Sequence, residues 1–87
     1  MTVSEIVRKL EYLNMVLENY YLFVTGVGMG KDDYGHVHVS SMKKNMKWED
    51  IGFDEMPVTL FMILKEEFGD VRYLRSSVVI ISEDKCD

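Results

Sequence analysis

Apolar residues in the first part of the chain recur at helical spacing. Val3, Ile6, Val7, Leu10, Leu13 and Leu17 fall three and four positions apart, while Glu5, Arg8, Lys9, Glu11 and Glu18 lie mostly on the other side. Thr2 and Glu5 stand three residues apart at the start of this run, the spacing of a capping box, in which each side chain satisfies a backbone N–H that the first helical turn leaves unpaired. The pattern predicts an amphipathic helix of about four turns. Its polar side carries more acid than base, so packing on a sheet is expected rather than docking on a membrane.

The period then changes. Tyr20 to Val27 is rich in aromatic and β-branched residues, and from Tyr34 to Met42 the chain alternates, with Val37 and Val39 on one face and His36, His38 and Ser40 on the other. Two antiparallel strands are predicted, joined by the loop Gly28 to Asp33, whose glycines and acids suit a turn. Lys43 to Phe53 is polar with scattered large apolar residues and reads as a loop with at most one helical turn. Asp54 and Pro57 mark a second helix start, Leu60, Phe61, Leu64 and Phe68 form its stripe, and Gly69 stands just past its end. Val58, Met62 and Ile63 widen the apolar arc, so this helix is expected to be the more deeply buried. Val78-Val79-Ile80-Ile81, inside Ser77 to Ser82, has the unbroken apolar character of a strand covered on both faces. Val71 to Leu74 either extends that strand or forms the first arm of another hairpin.

These elements predict an α+β fold in α-β-β-α-β order: two helices on one face of a three-stranded mixed sheet. In that split β-α-β layout the first strand lies between the second and the third. The third strand would then sit at a sheet edge and invite pairing, so a homodimer is expected. The element order is similar to that of type II KH domains, provided residues 45–52 add a helix. The likeness is one of topology only, because residues 43–56 hold no Gly-x-x-Gly loop to clamp a nucleic-acid backbone.

Eighty-seven residues suit a single domain spanning 1–87, with the polar residues 83–87 as a tail, and an apolar content of 47% is enough for a core. There is no alanine and no glutamine but there are seven methionines, a composition that leans toward an AT-rich coding source such as a phage or a low-GC bacterium. No basic segment followed by an apolar run marks an export signal, and the longest apolar stretch, Leu60 to Leu64, is too short to span a bilayer. A soluble, cytoplasmic protein without membrane contact is expected. The single cysteine, Cys86, permits no internal disulfide.

Candidate chemistry is thin. Thr25 to Asp32 nearly spells a phosphate-binding loop, but Gly26 leaves only three residues before Gly30-Lys31, and Asp32 stands where a hydroxyl residue should hold magnesium. Nucleotide binding is therefore not expected. His36 and His38 share a strand face and offer two nitrogen ligands. Asp32 or Asp33 would have to supply a third, and no Cys-His spacing supports a metal site. No serine lies in a Gly-x-Ser-x-Gly elbow, and Glu66 with Glu67 diverge on a helix, so no catalytic residues, cofactor or enzymatic activity are expected.

Charge says more. Residues 1–48 carry a net +1 and residues 49–87 a net −6. Glu66, Glu67 and Asp70 cluster at the carboxyl end of the second helix, where the macrodipole favours cations, so Arg72 and Arg75 or a basic partner must offset them. The opposing feature is Lys43, Lys44, Lys47 and Trp48, a basic stretch whose indole suits base stacking; a partly buried Trp48 beside Ile51 and Phe53 is the plainer role. The expected function is a small non-enzymatic protein-binding module with an acidic surface, such as a phage-type inhibitor or adaptor acting on host nucleic-acid machinery. The alternative is a small nucleic-acid-binding domain working through Lys43 to Trp48.

Overall fold

The computed structural model describes residues 1–45 and 55–85, the last three as backbone. Helix α1 spans Val3–Val16, strands β1 and β2 span Tyr20–Met29 and Tyr34–Lys43, helix α2 spans Val58–Phe68, and strands β3 and β4 span Val71–Tyr73 and Val78–Lys85. The α+β class and the two helices agree with the sequence pattern. The capping box is formed, with the Thr2 hydroxyl accepting from the Glu5 N–H and Glu5 accepting from the Thr2 N–H, both at 3.2 Å. Gly69 ends α2 at φ 84°, a left-handed value that glycine adopts without a Cβ penalty.

The sheet differs from the expected one in strand number, order and direction. It has four strands in the order β1-β2-β4-β3, and every neighbouring pair is antiparallel. Val71 to Tyr73 is the first arm of a second hairpin, paired with Val78 to Ile80. A split β-α-β unit is present, but with other members. Alternating directions make β2 and β3 parallel, α2 connects them, and β4 lies between them. The run expected at an edge, Val78 to Ile81, is thus internal, flanked by β2 and β3, and the edge argument for a dimer through it does not hold. Two further boundaries move: β1 runs on to Met29, and the turn shrinks to Gly30–Asp33.

Both helices lie on one face. From α1 the core takes Ile6, Leu10 and Leu13, from the strands Leu22, Val37, Val39, Val71, Val78 and Ile80, and from α2 Leu60, Leu64 and Phe68. Val79 and Ile81, on the other face, are buried too, as the unbroken apolar run predicts. The expectation that α2 is the deeper helix fails: Val58 and Met62 are 59% and 63% exposed, and α2 buries three residues, as α1 does. The apolar arc of α2 is wider than the surface it covers: α2 packs on β3, the last strand of the sheet.

Candidate interaction site

Antiparallel pairing sorts the loops into two ends. At one end are the Gly30–Asp33 turn, the start of α1, the end of α2 with Asp70, and the last residues of β4. Tyr34 stands opposite Lys85, the Ile81 N–H donates to Asp70 O at 3.0 Å, and Gly35 lies against Val3. At the other end Tyr20 stands opposite Lys43, and the Met56 N–H donates to Arg75 O at 2.6 Å. The first end gathers Asp32, Asp33, Glu66, Glu67 and Asp70, and chain positions 83 and 84 run toward it. Lys43, Lys44 and Arg75 stand at the second. Lys31 stands in the turn of the first end, and Glu18 and Glu55 stand beside the bases of the second.

Within the acidic end the three predicted carboxylates differ. The Lys9 ammonium donates to Glu67 O at 2.9 Å and lies 3.1 Å from the Glu67 carboxylate, with the Phe68 ring 5.5 Å from its charge. One cation from α1 thus answers both a terminal carbonyl of α2 and an acid beside it. Arg72 and Arg75, expected in that role, do not fill it: Arg75 pairs with Glu55 at 3.3 Å, and Arg72 stands opposite Val79 on the face away from the helices. Glu66 and Asp70 are exposed, and neither carboxylate has an ion pair among the described residues.

The turn at this end is held by Asp32, which accepts from the Tyr34 N–H at 3.0 Å and pairs with His36 Nε2 at 3.1 Å. The Tyr34 N–H first, and the His36 ring with it, hold the Asp32 carboxyl below its ordinary value. His38 is on the same face as His36, and its carbonyl accepts from the Thr25 hydroxyl at 3.4 Å. Among the described residues no three His, Cys, Asp or Glu side chains come together as a metal cluster. No helix among them is long and apolar enough to cross a membrane.

The basic stretch is divided. Lys43 is exposed beside a shallow hollow of about 390 Å³ that Glu18, Asn19, Tyr20, Lys44 and Asn45 also line. Lys44 is engaged in the fold: its ammonium donates to Asn14 O at 3.1 Å and to Leu17 O, capping the carboxyl end of α1, which has no basic residue of its own in its last turn. Lys47 and Trp48 lie outside the described residues.

Two working residues were not singled out from the sequence. Lys9 reads as an ordinary polar-face residue, and its partner is 58 positions away. Asn14 sits on the edge of the apolar stripe of α1, and its amide grips the Leu22 backbone. An amide at the margin of an apolar stripe was the only available signal. The chain matches no protein-family model, no curated protein and no solved structure.

Proposed function

We propose that this chain is a non-enzymatic binding module whose acidic end meets a basic surface on a partner protein. Glu66 and Asp70 carry the reading. They stand exposed and, among the described residues, without a cation at the carboxyl end of α2, where the macrodipole makes negative charge unfavourable by about 0.3–1 kcal/mol each. Lys9 answers Glu67 but no described cation answers these two, and a basic partner would offset them on binding. Proteins that handle nucleic acid present basic surfaces of this kind, and an inhibitor or adaptor of phage type acting on such machinery fits the charge. The nucleic-acid-binding alternative would have to work with Lys44 donating to the end of α1.

The test is association at rising salt. Wild type captured on a surface should retain a stoichiometric protein from host lysate, with association slowing as screening shortens the steering field to about 8 Å at physiological ionic strength. Glu66→Lys with Asp70→Lys should lose it. Retention unchanged by both reversals, or retention only of fragments removed by nuclease, would refute the reading.

A further inference from the structure

The outer edge of the sheet is open along half of β1. In an antiparallel ladder alternate residues point their N–H and C=O groups away from the partner strand. Leu22, opposite Ser41, is one of these, and so is Val24, opposite Val39. The register shift between Val24 and Gly26 moves the alternation by one residue, so Val27 and Met29, opposite Val37 and Gly35, are the next two. Asn14 takes the outward groups of Leu22. Those of Val24, Val27 and Met29 have no partner among the described residues. Their side chains share the helix face and are 38%, 56% and 63% exposed, since α1 passes from the β1 edge at Asn14 to Val3, over Gly35, and leaves this corner uncovered.

We propose that β1 from Val24 to Met29 is a strand-addition site for an extended, basic segment of a partner protein. Asn14 marks where the added strand stops: its amide already presents a donor and an acceptor to Leu22, as a neighbouring strand would. Charge selects the occupant. Glu11, one helical turn before Asn14, and Asp33 in the turn after β1 are exposed beside this stretch with the base Lys31, while Glu18, Lys43 and Lys44 stand together at the far end of β1, where Lys44 is held by the end of α1. A second copy of the chain is disfavoured, because it would bring these acids against their own counterparts, and because the register shift breaks a continuous symmetric ladder. The other edge, β3, offers only three residues. The proposal rests on the functional reading in taking the partner as basic, and adds where its backbone lies.

The probe is a peptide of alternating lysine and valine, seven residues long, with a glutamate-valine peptide as control. The lysine peptide should slow amide hydrogen exchange at Val24, Val27 and Met29, and the glutamate peptide should not. Val27→Pro removes one outward N–H at an edge position where proline is tolerated, and should weaken binding about tenfold with the fold intact by circular dichroism. Met29→Lys, which alters no backbone donor, should weaken it through charge. The proposal falls if those amides remain unprotected, if both peptides bind alike, if Val27→Pro folds and binds as wild type, or if light scattering shows a dimer that Val27→Pro dissociates. Loss of partner capture on reversing Glu66 and Asp70, with none in Val27→Pro, would leave the acidic-end reading standing and remove this one.

Discussion

The side chain of Asn14 meets the backbone of Leu22 as another strand would: its Nδ2 donates to Leu22 O at 2.7 Å and its Oδ1 accepts from the Leu22 N–H at 2.6 Å. A helix residue thereby closes part of a sheet edge and ties α1 to β1 across only eight positions of chain. Both bonds are part-buried, so Asn14→Ala leaves a donor and an acceptor without partners and should cost about 1–3 kcal/mol. Asn14→Asp, which keeps the acceptor but sets a carboxylate against the Leu22 carbonyl, should cost at least as much. Urea unfolding of both variants measures this. A change within error of wild type for each would show that the contact contributes nothing to stability.

What the sequence made legible was what local rules govern. The capping box, the helical stripes, the alternation of β2 and the doubly covered run of β4 are set by residues close in sequence. Strand order is not, because periodicity shows which face a residue takes and not which strand lies beside it. The second hairpin was ambiguous for a local reason: Leu74-Arg75-Ser76-Ser77 has no glycine, proline or asparagine, and Arg75 itself adopts the left-handed conformation at φ 72°. In the candidate site, the acidic cluster was visible as charge. That Glu67 is answered and Glu66 and Asp70 are not depends on Lys9, brought across from α1 by tertiary packing. That Lys44 reaches the end of α1 was not legible either, because a lysine in a basic run gives no local sign that a helix end lies within its reach.

Lys9 supports a second prediction. Its bond to Glu67 O, its pairing with the Glu67 carboxylate and its position over Phe68 hold the end of α2 to α1. Lys9→Met keeps the aliphatic stem and removes the charge. Because both partners are partly solvated, the loss should be about 1 kcal/mol rather than the value of a buried pair. Thermal unfolding should show the difference shrinking in high salt, where wild type loses the same attraction. A salt-independent difference would mean that packing on Phe68, not charge, is what Lys9 contributes.

Gly30 and Gly28 make a contrasting pair. A Cβ at Gly30 would overlap the His36 ring and lie 2.8 Å from the Asp32 carboxylate, whereas one at Gly28 meets nothing within 4 Å. Gly30→Ala must turn the His36 ring away from Asp32, which breaks an exposed pair and should destabilise by up to about 1 kcal/mol. Gly28→Ala fills open space on a strand with no positive φ and should be neutral or stabilising by about 0.4–1 kcal/mol, through the unfolded chain. Equal effects at the two positions, measured by urea unfolding, would contradict the packing of His36 over the turn.

Asp32 carries the pH dependence. Its carboxyl is held below the ordinary 3.8 in the folded chain, by the Tyr34 N–H first and His36 after it. The folded state therefore binds a proton at this site less readily than the unfolded chain does. Such a group adds stability that is fully present above its unfolded value and is lost as pH falls through its folded value. Asp32→Asn keeps an oxygen to accept from the Tyr34 N–H but removes the charge. The variant should be less stable than wild type at pH 6, and the gap should narrow as pH falls below the ordinary 3.8 and through the lowered folded value. A gap that stays the same as pH falls, in urea unfolding, would assign the effect of Asp32 to the shape of the turn and not to its charge.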